Sequence, residues 1–153
     1  MKYYNSRSAP CFSGECEIKM SNGMIKKVKD LRKGDAIQGG AKILCILKTL
    51  SKDGLQDLCS FSSGLIITPW HPIRHNGSWT FPCDLIPSSL TPCPAVYSLI
   101  VDQGHIALIN GVEVICLGHN LTDGILKHAY FGSQKIVQDI KKMPGWEKGE
   151  VQL

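Results

Sequence analysis

The 153-residue chain has no apolar run approaching the roughly 20 residues that span a bilayer, so no transmembrane helix is expected. The opening Met1-Lys2-Tyr3-Tyr4-Asn5 leads into no apolar stretch and does not read as a signal peptide. Long basic tracts are also absent. The 17 Lys and Arg residues exceed the 13 Asp and Glu residues by four, and apart from Lys26-Lys27 and Lys141-Lys142 they are scattered. That pattern argues against nucleic-acid binding. No Cys-x-x-Cys pair occurs, so the usual zinc knuckle is missing.

What is present is an ordinary globular composition, 43% hydrophobic and 20% charged, in a length that suits one domain. A monomer is expected, with no membrane contact. The seven cysteines are an odd number, so at least one thiol is unpaired within the chain. Several lie in apolar runs, such as Ile43-Leu44-Cys45-Ile46-Leu47 and Val114-Ile115-Cys116-Leu117, where a free thiol packs as a small hydrophobe. A reducing, intracellular compartment fits that usage.

Residues 1–10 are polar and aperiodic and read as a flanking tail. From Cys11 onward the pattern is one of short strands and turns. Asn22-Gly23 and Asn110-Gly111 are hairpin signals, and Ser51-Lys52-Asp53-Gly54 reads as a hairpin joining Ala41–Leu50 to Leu55–Phe61. Six of the eight prolines fall between Pro69 and Pro94, a region expected to hold long loops. The fold class is all-β. One short helix is expected near residues 133–142, where Ile136, Val137 and Ile140 share a face. Ser133 offers the N-cap, and Pro144-Gly145 the stop.

Four blocks carry a family resemblance. Cys11-Phe12-Ser13-Gly14-Glu15-Cys16-Glu17-Ile18, with Asn22-Gly23 and Val28-Lys29-Asp30-Leu31-Arg32-Lys33-Gly34-Asp35 behind it, resembles the opening of hedgehog/intein (Hint) domains. Leu65-Ile66-Ile67-Thr68-Pro69-Trp70-His71 resembles their strand followed by Thr-x-x-His. Val96–His105 followed by Asn110-Gly111, and then Gly118-His119-Asn120, match the later blocks in order and spacing. Thr68-Pro69-Trp70-His71-Pro72, Cys116-Leu117-Gly118-His119 and His128-Ala129-Tyr130-Phe131-Gly132 are most similar to the Vint branch, found in proteins with von Willebrand factor A domains. The resemblance then covers nearly the whole chain. It implies a horseshoe of short strands over 11–120, a C-terminal segment over 121–153 packed on it, and protein self-processing without a cofactor.

The substrate implied is the chain's own flanking polypeptide. Cys11 would attack the Pro10 carbonyl, passing through a five-membered ring to a thioester. The resemblance gives His71 the protonation of the departing nitrogen and Thr68 the task of holding the distorted peptide; a proton-carrying imidazole suits neutral pH. It assigns late steps to His105, and cyclisation to Asn120 assisted by His119. Asp102 is a further candidate proton acceptor, whereas Cys16 and Trp70 read as packing residues. Two departures stand out. Pro10 restricts the carbonyl under attack, which slows the reaction. Leu121 has no hydroxyl or thiol, so splicing lacks its second nucleophile. The thioester acceptor stays open among water, a thiol, an amine and a sterol.

Three other readings compete. A Cys/His hydrolase would act on other proteins in trans. A zinc-stabilised interaction module would draw on His71-x3-His75, Cys83-x9-Cys93 or Cys116-x2-His119-x8-His128. A Hint domain without activity would serve as a binding module.

Overall fold

The computed structural model describes residues 9–153. The tail expected over residues 1–10 therefore lies, for residues 1–8, outside the described residues, while Ala9 and Pro10 are buried. The strands are β1 (Phe12–Ser13), β2 (Glu17–Lys19), β3 (Ile25–Lys27), β4 (Ile43–Leu50), β5 (Leu55–Ser60), β6 (Ile66–Ile67) and β7 (Ile73–His75). They continue as β8 (Ser78–Thr80), β9 (Ser89–Pro92), β10 (Ala95–Val101), β11 (Ile106–Ile109), β12 (Val112–Ile115) and β13 (Glu150–Gln152). Among the described residues there is one α-helix, α1 (Gln134–Lys141), capped by Ser133, whose side chain accepts from the Lys135 amide.

Two sheets result. One holds seven strands in the order β13-β4-β10-β1-β6-β5-β9, the other six in the order β3-β2-β11-β12-β7-β8. The chain crosses between them repeatedly. The turn after β10 delivers β11 into the second sheet, and the Asn110-Gly111 turn, with φ of 48° and 77°, folds β12 back beside it. Both central residues of that turn have the positive φ that a two-residue hairpin connection favours.

Alternation along β4 and β10 feeds two separate cores. Ile43, Ile46, Leu99 and Val101 enter the cluster between the sheets. Cys45, Leu47, Val96 and Ile100 face a second cluster with Cys11, Tyr130, Phe131, Ile136, Val137, Ile140 and Val151. A sheet buried on both faces accounts for the near-continuous apolar run at 43–47. The 121–153 segment supplies much of the second core. It brings the buried face of α1 and then β13, which pairs in parallel with β4 from Glu150↔Ile46 to Gln152↔Lys48.

The expected hairpin at Ser51–Gly54 does not form. β4 pairs with β10 and β13, whereas β5 pairs with β6 and β9. The chain around Cys93-Pro94 takes the intervening bonds, from the Ser51 amide to the Pro94 carbonyl (3.0 Å) and from the Cys93 amide to the Gly54 carbonyl (2.9 Å). The long apolar β10 is a better partner for β4 than the mixed, half-exposed β5.

Two glycines make the C-terminal packing possible. Gly118 has φ 66°, and a Cβ there would lie 2.6 Å from the Val137 side chain, so it lets α1 approach the end of the strand region. Gly145, at φ 98°, turns the chain into β13 with its would-be Cβ pressed onto the Glu150 carbonyl. Both a left-handed backbone and a close backbone contact require glycine there. Gly145→Ala should lower the unfolding free energy by about 2 kcal/mol, measured by chemical denaturation.

Candidate functional site

Cys11 sits at the start of β1, which lies in the middle of the larger sheet with β10 on one side and β6 on the other. Phe12 faces Tyr97 on β10 and Ile67 on β6. That double pairing sets the peptide before Cys11 between two strands distant in sequence. On the β6 side, the Thr68 amide donates to the Cys11 carbonyl at 2.9 Å. The Cys11 amide, the nitrogen of the Pro10–Cys11 bond, donates to Thr68 Oγ1 at 2.9 Å. The single hydroxyl proton of Thr68 faces the Ala9 carbonyl at 2.9 Å and the Cys11 carbonyl at 3.0 Å. Thr68 thus holds the backbone on both sides of Pro10.

His71 follows Thr68 by one turn, its amide reaching the Thr68 carbonyl at 3.4 Å. Its ring lies 5.5 Å from the Phe12 ring, centroid to centroid. Nε2 is 2.6 Å from the Ile115 carbonyl, which assigns the ring proton to that nitrogen. Nδ1 is buried and has no hydrogen-bond partner among the described residues. A buried, unpaired ring nitrogen is costly, and such groups concentrate where chemistry is done. Burial lowers the imidazole pKa to about 4, against the opposing pull of the Ile115 and Cys11 backbone groups. The resting ring is therefore neutral.

Cys11 is equally dry, at 2% exposure. Burial pushes its thiol up to about 12, and a hydrogen bond with Ser98 works the other way. Ser98, on β10, was assigned no role from sequence. Its hydroxyl lies 3.4 Å from Cys11 Sγ and donates to the Pro10 carbonyl oxygen. The sequence carried one signal for it, a lone small polar residue inside the apolar run Val96–Val101.

The other candidates occupy a neighbouring region. His105 sits in the turn after β10 with φ 55°, its Nδ1 buried and without a partner among the described residues. Burial lowers its pKa, and the Asp102 charge opposes that shift. Asp102 itself is exposed, and its carboxylate accepts the Lys42 amide at 2.8 Å. His119 is buried, with Nδ1 accepting from the Leu121 amide at 2.8 Å. Burial and the neighbouring His105 and His128 lower its pKa, while a bond to the Leu126 backbone raises it. The Nδ1 contact thus ties down the start of the segment that follows. Asn120 is exposed, with φ 60° and its amide donating to the Gly132 carbonyl at 2.7 Å.

Cys16 packs as expected, its sulfur 3.4 Å from the Ile66 amide. Trp70 departs from expectation. It is 40% exposed and meets Phe81 edge-on at 5.1 Å rather than entering the core, because the Pro69–Pro72 turn directs it outward. It borders an apolar cavity of about 140 Å³ with Pro10, Phe81, His119 and Phe131. All seven cysteines are free thiols. Among the described residues no three His, Cys, Asp or Glu side chains are arranged to hold a metal ion, and no helix is long and apolar enough to cross a membrane.

The buried neutral His71 links stability to pH. Its pKa is depressed on folding, so its contribution is complete above 6.5 and is lost as pH falls toward 4. Over that window the unfolding free energy should drop by about 3 kcal/mol from this residue, and His71→Gln should flatten that part of the pH–stability curve.

Comparisons with known proteins agree with this arrangement. The crystal structure of the gp41-1 intein superposes with a TM-score of 0.51 at 12% identity, covering 71% of this chain and 99% of that one. The Ssp DnaB mini-intein variant M86 superposes with a TM-score of 0.50 at 17% identity, covering 72% of this chain and 97% of that one. Identities this low establish a shared fold. No curated protein matches the sequence. The sequence model of the Vint family, described as a Hint-domain, matches residues 10–153. Its match opens one residue before Cys11 and runs through α1 and β13, so the chain belongs to the Vint family of Hint domains.

Proposed function

We propose that this member of a self-processing superfamily cleaves its own Pro10–Cys11 bond through an N-to-S acyl shift and does not splice. One observation carries the reading. The peptide joining Pro10 to Cys11 is gripped at its nitrogen by Thr68 and at its carbonyl oxygen by Ser98, with Cys11 Sγ beside Ser98. An ordinary buried peptide in a sheet bonds to backbone partners. This one is held by side-chain hydroxyls that can follow the carbonyl as it becomes tetrahedral. His71 supplies the proton shuttle to the departing nitrogen. Its low basicity makes its protonated form, once formed, a strong acid toward that nitrogen.

Absence of splicing rests on the other end. Leu121 carries no nucleophile, and Asn120 is exposed, with φ 60°. The chain beyond it is integrated into the core through α1 and β13. The substrate is the chain's own N-terminal flank.

A catalytically silent Hint module is the second reading. It is favoured by the thiol pKa near 12, which leaves only about one molecule in 10⁵ as thiolate at neutral pH.

The test is a fusion with a reporter at each end, incubated with excess dithiothreitol and followed by mass spectrometry. Slow release of a fragment ending at Pro10 is expected, with no ligated product. Cys11→Ala should abolish release, His71→Ala should slow it about 100-fold or more, and Pro10→Gly should accelerate it. Absence of cleavage in the folded glycine variant would favour the silent module.

A further inference from the structure

The N-to-S reading leaves a physical difficulty, because the nucleophile is a thiol in surroundings that disfavour its anion. The structure contains a route around it. Val96, Ser98 and Ile100 share one face of β10 by strand alternation, and that face looks into the cluster holding Cys11. Ser98 is 1% exposed. A hydroxyl has one proton to donate. That proton can turn either to Cys11 Sγ, 3.4 Å away, or to the Pro10 carbonyl oxygen, and when it lies on the carbonyl the serine oxygen is left facing the thiol as an acceptor. The Ser98 hydroxyl thus bridges Cys11 Sγ and the Pro10 carbonyl oxygen.

Resting on the Cys11 reading, we propose that Ser98 is a catalytic residue that relays the thiol proton to the carbonyl oxygen, so that attack proceeds without a free thiolate. As Sγ bonds to the Pro10 carbonyl carbon, the thiol proton passes to Ser98 Oγ and the serine's own proton passes to the carbonyl oxygen. The ring intermediate is a neutral hydroxythiazolidine. Its collapse breaks the carbon–nitrogen bond to Cys11, the hydroxyl proton departs, and the nitrogen gains one proton by way of His71. In sum, one proton moves from sulfur to nitrogen and serine is regenerated. The titratable neighbours around the thiol are His71 and, in the same cluster, Cys45, Cys93 and Tyr130. Burial and the Ser98 bond are the two influences that set its acidity, and neither comes from a charged side chain. No anion forms next to these groups in the relay, which suits a site without a cation.

A purely structural serine would satisfy the Pro10 carbonyl and nothing more. The relay differs in how the rate depends on pH. The experiment measures cleavage of the full chain in saturating hydroxylamine, so that the acyl shift limits the rate, from about pH 7.5 to 9.5, where the trap is already uncharged. The wild type should be nearly pH-independent. Ser98→Ala should be 100- to 1,000-fold slower near neutrality and should rise about tenfold per pH unit, because it must wait for thiolate. Ser98→Thr, which keeps the hydroxyl, should recover much of the rate and the flat profile. Circular dichroism melts check that each variant is folded.

Equal rates and parallel profiles for wild type and Ser98→Ala, with Cys11→Ala inactive, would overturn the relay and leave the Cys11 reading standing. A wild-type rate that climbs tenfold per pH unit would do the same. Failure of the folded wild type to cleave at any pH would defeat the Cys11 reading, and the relay with it.

Discussion

The structure depends on a strand of two residues. β1 pairs with β10 on one side and β6 on the other, and through those pairings the chain behind Pro10 is threaded into the centre of the larger sheet. Without that insertion Cys11 would sit on a loose N-terminal arm, far from Thr68, His71 and Ser98. With it, four residues separated by up to 87 positions meet around one peptide bond. The strand is too short to hold by its own ladder. Phe12 in one core and Cys11 in the other anchor it from opposite faces. Burial of a phenylalanine contributes about 2 kcal/mol, comparable with a few net backbone hydrogen bonds.

The same burial dictates the chemistry. A dry site strengthens each hydroxyl contact with the Pro10 carbonyl, but it also penalises every charged form nearby. At neutral pH a thiol with a pKa near 12 costs about 7 kcal/mol to ionise, and His71, near 4, stays neutral. Chemistry in such a place favours proton transfers that leave no net charge, and the pairing of Cys11 with Ser98 meets that constraint. The 121–153 segment closes one wall of the thiol's surroundings with Tyr130, Phe131 and α1. Gly118 and the latch at His119 hold that wall against the strands.

Much of this was legible in the sequence because it is local. The Asn110-Gly111 turn demands positive φ at both residues, and the Ser133 cap with Ile136, Val137 and Ile140 on one face predicts α1 within a residue at each end. The Cys11, Thr68 and His71 blocks point to a common site, and the structure brings those three together. What was not legible depends on partners distant in sequence. The Ser51–Gly54 turn looks like a hairpin until β10 is available to pair with β4. Trp70 reads as core because aromatic residues generally bury, yet the turn geometry around Pro69 and Pro72 leaves it facing outward. Ser98 shows in the sequence only as a lone small polar residue in an apolar run, because its importance lies in contacts 87 and 88 residues away.

The central claim is that the Pro10 carbonyl can leave Cys11 nitrogen for Cys11 sulfur inside the folded domain. The most direct measurement is carbon NMR of the chain with ¹³C at the Pro10 carbonyl. The account predicts a minor resonance far downfield, in the thioester region, that disappears in Cys11→Ala and whose loss to hydroxylamine matches release of the N-terminal fragment. A carbonyl that stays wholly in the amide region, in a folded protein that releases no fragment, would contradict it.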